Sequence, residues 1–486
     1  MFYSRTPHLT FLLLFLLAAM ASTTAAQSVS FSRTDRDLQI DNPFQIVTAD
    51  FNKDGNLDLA FTDKVVPQVF IVLGDGTGAF GPEVGFSTLG PASSITTGDF
   101  NNDKNLDLAL SVPSRNSIVV LFSAGNGTFA APLELHAGPS PFQAPLGVVA
   151  GDFDRDGTPD LMSIAVGSNV VSFIKSNGNG TFGPYTFAGV VRDDPFMIVT
   201  DDFNSDGKLD IATANFDFFG ITVDLGTGTG TLQNTFELPT NPAIVLTTGD
   251  FNQDSFPDIA FLHRFPPSPG TISVTLSKGD GTFEPPTSRP VGLDPRALVT
   301  ADFNLDNDLD FAVANFLSNT VTILPGTPDV FSLGSPQDFP SFVNPIALAA
   351  GDFNNDCRPD LAVLNAGNGT LSILLNTTPR ASLQIVDVTQ STNVLWPPNH
   401  KLVDVTVDYG TANSCGPGTC ALSVTSNEPM NGTDWEIIDE HHIGLRAERA
   451  GNGSGRVYTI TITCSDRSGS TSRSVTVTVP KNQKDK

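Results

Sequence analysis

One phrase, repeated seven times, constrains this chain more than anything else in it. It first reads Asp50-Phe51-Asn52-Lys53-Asp54-Gly55-Asn56-Leu57-Asp58, and it returns starting at Asp99, Asp152, Asp202, Asp250, Asp302 and Asp352, always 48 to 53 residues after the last copy. A fixed period of this size marks a repeat architecture, in which each unit buries its apolar surface against its neighbours. Before each Asp phrase stands a short run with small residues, such as Ile46-Val47-Thr48-Ala49. After it come residues 57–61, then Val69-Phe70-Ile71-Val72-Leu73, a Gly-rich hairpin at 74–80 and a further extended stretch. These runs are short, β-branched and bounded by Gly, Asn, Asp and Pro, which predicts strands. Four short strands per unit fit a propeller blade, and seven units predict seven blades. The ring is expected to close, because open sheet edges invite aggregation; an open solenoid is the alternative. The seventh unit ends after its third strand, Leu371-Ser372-Ile373-Leu374-Leu375. Residues 28–40 precede the first Asp phrase as a fourth strand precedes each later one, so they are expected to complete the last blade.

The Asp phrase places oxygen side chains at positions 1, 3, 5 and 9 and a backbone carbonyl at position 7. Ca²⁺ takes six to eight oxygens, and calcium loops use this alternate spacing. In the first loop the candidate ligands are Asp50, Asn52, Asp54, Asp58 and the carbonyl of Asn56. In the second they are Asp99, Asn101, Asp103, Asp107 and Asn105; in the third, Asp152, Asp154, Asp156, Asp160 and Thr158. The fourth offers Asp202, Asn204, Asp206, Asp210 and Lys208, and the fifth Asp250, Asn252, Asp254, Asp258 and Phe256. The sixth offers Asp302, Asn304, Asp306, Asp310 and Asp308, and the seventh Asp352, Asn354, Asp356, Asp360 and Arg358. The residue named last in each set acts through its carbonyl. Asx-turns alone would explain one such loop. Seven copies that all keep three crowded carboxylates call for a cation to relieve their repulsion. Up to seven Ca²⁺, one per blade, are therefore expected. Position 6 usually needs Gly for a sharp turn, supplied by Gly55, Gly157 and Gly207. Lys104, Ser255, Asn307 and Cys357 stand there in the other loops, which ranks the second and seventh weakest.

Charge narrows the partners. The 486 residues carry 52 acidic and 26 basic side chains, a net charge of −26. Nucleic acids and anionic lipid surfaces need clustered Lys and Arg, so neither is expected as a partner. The N-terminus reads as a secretory signal: Arg5, then an apolar run at residues 11–21, then Thr24-Ala25-Ala26 before Gln27. The run is short for a membrane span. Residues 1–26 are expected to be removed, leaving a secreted or cell-surface protein without a membrane span.

The Asp loops, together with hairpins such as Gly125-Asn126-Gly127-Thr128-Phe129 and Gly178-Asn179-Gly180-Thr181-Phe182, resemble FG-GAP (VCBS) repeats. These build the seven-bladed propeller of integrin α-subunits and of many bacterial secreted proteins. The resemblance spans about residues 28–379, and it implies calcium in a hairpin loop at the outer part of each blade. The sixth and seventh units lack the Gly-x-Gly-Thr-Phe hairpin, which leaves their third-to-fourth strand connection open.

Beyond Pro379 the composition shifts. Cys415, Cys420, Cys464 and both Trp lie there, among alternating runs such as 402–407, 457–463 and 474–479 that read as sandwich strands. The segment resembles Ig-like bacterial surface modules and hyalin-type repeats, on Trp396-Pro397-Pro398-Asn399-His400-Lys401 and on the strand holding Cys464. The expected organisation is a signal at 1–26, a propeller at 27–379 and an Ig-like β-sandwich at 380–486, all-β throughout. Cys464 is expected to pair with Cys415 or Cys420; Cys357, in the seventh loop, would find a partner only if the two domains meet.

No nucleophile elbow, His-Glu-x-x-His or phosphate loop is present, and no catalytic residue is assigned. His441-His442, beside Asp439 and Glu440, are neighbours on a strand and point to opposite faces, which argues against a metal pair. The function expected is a non-catalytic extracellular binding or adhesion module for a protein or glycan ligand. A calcium-dependent lectin is the alternative, weakened because Tyr185 is the one Tyr or Trp in the propeller. A polysaccharide lyase or hydrolase ranks third.

Overall fold

The computed structural model describes residues 27–40, 42–138, 144–191, 194–215, 220–238, 240–264, 268–327, 335–340, 342–416, 418–429, 432–450 and 455–481. The expected signal segment, 1–26, lies outside them. Among the described residues, seven four-stranded antiparallel sheets follow one another from residue 31 to residue 376. In the first unit the strands are Pro43–Ala49, Asp58–Asp63, Gln68–Val72 and Val84–Ser87, here termed a, b, c and d. The a–b connection is the Asp loop and the c–d connection is the Gly hairpin, so both lie at one end of each sheet. The b–c and d–a connections lie at the other end.

Burial explains the strand order. Strand b of the first unit is buried along its whole length, and so is its counterpart Asp107–Val112 in the second. A middle strand packed on both faces needs a continuous apolar run, whereas strand d at the rim is largely exposed. The core is not one mass but seven clusters, each shared by two successive units. Phe51, Ala60 and Ile71 of the first unit pack with Ile95, Leu108 and Leu121 of the second. The same arrangement joins Ile346, Leu364 and Ile373 of the last unit to Ile46, Leu59 and Phe61 of the first, so the sheets form a closed ring.

The N-terminal strand Phe31–Asp37 pairs antiparallel with Thr370–Asn376 and completes the seventh sheet, in the register Phe31↔Asn376 to Asp37↔Thr370. Past this ladder, Thr377 N–H donates to the Ser30 carbonyl at 2.7 Å and Gln27 Nε2 to that of Pro379 at 2.8 Å. In the sixth sheet, strand d is cut to Gln337–Phe339, and residues 328–334 of its c–d connection lie outside the described residues.

The abundant Phe residues are latches between units. Each hairpin Phe packs on the Phe at position 2 of the preceding unit's Asp loop: Phe129 on Phe51, Phe182 on Phe100, Phe283 on Phe203, and Phe80 of the first unit on Phe353 of the seventh. Hairpin amides reinforce this. Gly127, Gly230 and Gly281 donate to the carbonyls of Phe51, Phe153 and Phe203, and Gly78 to that of Phe353, at 2.9–3.1 Å.

Residues 384–480 form two further sheets. One has the order Gln384–Gln390, Leu402–Ala412, His442–Arg446, Trp435–Ile437; the other holds Thr419–Ser426, Gly455–Asp466 and Gly469–Pro480. Val405, Val407, Ile443 and Leu445 of the first share a core with Leu422, Ile460, Ile462 and Val477 of the second. Both expected alternatives for the cysteines are resolved: Cys420 pairs with Cys464 and Cys415 with Cys357, so no thiol is left over among the four.

A chain lacking residues 27–38 loses the buried Val29 and Leu38, at about 1.5–3 kcal/mol for each side chain, and exposes the edge of Thr370–Asn376. The expected outcome is a lower melting temperature with self-association, read by calorimetry and size-exclusion chromatography. Unchanged melting would remove this strand from the stability of the ring.

Candidate metal centres

Each Asp loop is built on two residues in the left-handed region. Position 6 has φ between 60° and 88° in all seven loops: Gly55, Lys104, Gly157, Gly207, Ser255, Asn307 and Cys357. Position 4 is also left-handed, with φ between 56° and 64°, at Lys53, Asn102, Arg155, Ser205, Gln253, Leu305 and Asn355. Non-glycine residues here cost about 1 kcal/mol or more each, so the loop must be held by something stronger.

What holds it is a set of carboxylate–amide hydrogen bonds that recurs in every copy. The position-1 Asp accepts from the backbone N–H groups of positions 5 and 6. In the first loop these are Asp54 N–H to Asp50 Oδ1 at 3.2 Å and Gly55 N–H to Asp50 Oδ2 at 2.9 Å. In the seventh they are Asp356 N–H to Asp352 Oδ1 and Cys357 N–H to Asp352 Oδ2, at 2.9 and 2.8 Å. The position-5 Asp accepts from the N–H of position 7, as Asp54 does from Asn56 at 2.8 Å. In every loop but the third, position 3 also places its side-chain oxygen on the position-5 N–H, as Asn52 does at 2.9 Å.

The position-9 Asp is different. It is the first residue of strand b, fully buried, and it pins the loop to the sheet. Asp58 Oδ1 accepts from Gly74 N–H at the end of strand c, and Oδ2 from Phe51 N–H at position 2, both at 2.8 Å. Asp107, Asp210, Asp258 and Asp360 repeat both bonds. Asp310 takes its second bond from Asn304 N–H at 2.9 Å. Burial is the main force on these carboxyls. It raises the pKa of Asp58 to about 6 and those of Asp107, Asp160, Asp210, Asp258, Asp310 and Asp360 to about 7, against the lowering by the amide bonds.

The third loop departs from the rest. Position 3 is Asp154, and carboxylate oxygens of Asp152, Asp154 and Asp156 lie within 4.8 Å of one another, the one such acidic group among the described residues. Phe153 N–H donates to Gly151 O at 3.0 Å instead of to Asp160. Asp160 Oδ2 is thereby buried with no hydrogen-bond partner, and Asp154 Oδ1 is likewise buried without one. Lys175 Nζ pairs with Asp154 Oδ2 and, at 2.5 Å, with Asp156 Oδ2. Those hydrogen bonds raise the Lys175 pKa and lower that of Asp156. Two unsatisfied buried carboxylate oxygens beside a carboxylate triad fit a hard divalent cation. In two other loops a cation of the chain also sits on position 5: Lys208 on Asp206 and Arg358 on Asp356, each at 2.7 Å.

The side chains at position 7, assigned only a carbonyl role from sequence, wire the loops together. Asn56 Oδ1 accepts from Asn355 Nδ2 at 2.7 Å, and Asp308 Oδ1 from Gln253 Nε2 at 2.5 Å. In each case position 7 of one loop meets position 4 of the preceding one. The alternation of polar residues gives no hint of this, because the partner lies a full unit away. Elsewhere, His442 Nδ1 pairs with Asp439 at 2.9 Å while His441 Nδ1 faces the Val407 carbonyl, so the two rings turn to different partners.

Two outcomes follow for the metal-free protein. Asp210→Ala leaves the buried amides of Phe203 and Gly226 unpaired, at about 1–3 kcal/mol each, and the loss is expected with chelator present as well as without. A loss seen only with calcium would restrict Asp210 to a metal role. The raised position-9 pKa values mean that the folded chain binds more protons than the unfolded chain between about pH 4 and pH 7. Their contribution to stability in chelator is therefore fully present below that window and lost as pH rises through it, which melting curves at pH 4.5 and 7.5 would read.

Four stretches of the chain match the FG-GAP-like repeat: residues 50–110, 202–261, 250–313 and 302–363. The third unit, with its acidic triad, lies outside them. No curated protein matches the chain. Among solved structures it is similar to an Agrocybe aegerita lectin described for recognition of non-reducing terminal N-acetylglucosamine, at 15% identity over 73% of this chain and 87% of that one, TM-score 0.47. It is also similar to hydrazine synthase of Kuenenia stuttgartiensis, at 12% identity over 71% and 98%, TM-score 0.48. A third is the periplasmic gluconolactonase of Pseudomonas aeruginosa, at 16% identity over 62% and 86%, TM-score 0.47. Residues 50–110 and 202–363 of this chain are thus similar to FG-GAP-like repeats, and the four-stranded sheets follow one another in a propeller-like ring.

Proposed function

We propose that the protein is an exported, non-catalytic binding module: a seven-bladed propeller stiffened by Ca²⁺, followed by an Ig-like sandwich at 380–486. The observation that carries the reading is the third loop, where Asp152, Asp154 and Asp156 converge and buried oxygens of Asp154 and Asp160 lack partners. A bound cation would supply positive charge to these oxygens and free Lys175 from the loop. The other loops offer the same positions with Asn at position 3, so the third is the tightest site of the seven.

Two disulfides support an oxidising, extracellular setting, and among the described residues no helix is long and apolar enough to cross a membrane. The recognition face is the end of the ring opposite the Asp loops. Val65, Leu89, Leu317 and Val343, all in b–c or d–a connections, are exposed there at 37–64%. Exposed apolar side chains on loops held by a rigid scaffold are what a protein or glycan ligand would meet.

Calcium is expected to raise the melting temperature by several degrees, and Asp152→Asn with Asp154→Asn to remove about one bound cation by calorimetric titration. A melting temperature indifferent to both calcium and chelator would sink the calcium reading. A glycan array run with calcium and with chelator separates the partners: calcium-dependent binding to a defined sugar makes the module a lectin, and a blank array from folded protein points to a protein ligand.

A further inference from the structure

The seventh Asp loop is attached to the C-terminal sheets. A side chain at position 6 points away from its own loop: a Cβ at Gly55, Gly157 or Gly207 would meet nothing within 4 Å. Cys357 occupies this outward position and is bonded to Cys415, which lies between the Leu402–Ala412 and Thr419–Ser426 strands of the C-terminal sheets. The attachment has further points. Arg467 Nη1 donates to Asn355 Oδ1 at 3.2 Å, and Arg380 Nη2, on the chain leaving the ring, donates to the Ser414 carbonyl at 2.5 Å. The joint is tied together on the C-terminal side by Arg467 N–H to Cys415 O at 3.3 Å and Cys415 N–H to Asp466 Oδ2 at 2.6 Å.

Asn355 carries the contact onward. Its Nδ2 donates to Asn56 Oδ1 at 2.7 Å and to Gly76 O at 3.4 Å, both in the first unit. Gly78, in the same hairpin as Gly76, donates to Phe353 O in the seventh loop. One residue of the seventh loop is thus held from both sides, by the C-terminal sheets and by the first unit. Arg380 follows directly on residues 377–379, which hydrogen-bond to residues 27–30 and so fasten the N-terminal strand. Every other junction between units is made within a continuous stretch of chain, whereas this closure depends on pairing between residues about 340 apart in sequence.

We propose that the C-terminal sheets act as a clamp on the closure of the ring, with the seventh Asp loop adapted as its docking joint. Cys357 takes the left-handed conformation that glycine supplies in the first, third and fourth loops, and the disulfide holds it there. Arg467 fixes Asn355, and Asn355 fixes the first unit's loop and hairpin. Arg380 fixes the exit chain that stitches the N-terminal strand. The clamp does not rest on calcium.

The test is amide hydrogen exchange on the full chain, in chelator, comparing unmodified protein with Cys357→Gly/Cys415→Ser. Glycine keeps the loop conformation available, so this pair removes the tether and leaves the backbone unstrained. The N–H groups of Gly78 and Thr377 are expected to exchange about tenfold faster, while that of Gly230, which makes the same latch between the third and fourth units, is unchanged. Equal protection of Gly78 and Thr377 in both proteins overturns the proposal, as does an equal loss at Gly230. Arg467→Ala keeps both disulfides and serves if the double variant does not fold. It is expected to speed exchange at Gly78 alone, and no change there overturns the relay through Asn355.

Discussion

The structure depends on a buried carboxylate that accepts two backbone amides. The position-9 Asp sits at the start of strand b, inside the sheet, and ties the Asp loop's second residue to the end of strand c. Without it, two amides at the crowded end of each unit but the third would lack acceptors. The ionised carboxylate is the stronger acceptor, yet burial and the neighbouring acids push the group toward its neutral form. Each unit therefore contains a local electrostatic conflict, and a cation over the loop would relieve it. This is why the same acid can be a structural pin and a metal ligand: the amide bonds use one lone pair on each oxygen and leave others available.

Packing spreads that local order around the ring. Hairpin Phe side chains cover the Phe of the preceding loop at four junctions, hairpin amides of Gly78, Gly127, Gly230 and Gly281 donate to the carbonyl of that loop's Phe, and side chains at positions 4 and 7 meet at some junctions. A unit is thus not complete by itself. Its loop is half built by the unit that follows, so rigidity comes from the circle more than from any one sheet.

Much of this was legible in the sequence. The period gave the units, the β-branched runs gave the strands, and the missing fourth strand of the last unit pointed to residues 28–40, which pair there. In the third loop the carboxylates at positions 1, 3 and 5 come together in space. What stayed hidden is long-range. In five of the seven loops the left-handed position 4 carries Lys, Arg, Ser, Gln or Leu, none of which advertises that conformation. The contact of Asn355 with Asn56 joins residues about 300 apart. Cys357 at a position expected to weaken the loop makes sense only beside Cys415. The approach of Lys175 to Asp154 and Asp156 follows from its place just past the c strand, Val170–Ile174, which runs beside the loop.

The pairing of the first strand with the last also sets an order in time. Residues 31–37 leave the ribosome before any other part of the ring, yet their partners, 370–376, are made only after six sheets' worth of chain. Until then that strand has no ladder to join, and the growing array keeps an open edge that cannot be shielded by its own later units. A chain of this design completes its fold in one late step, and a truncated product would carry two unpaired edges into the cell's quality control.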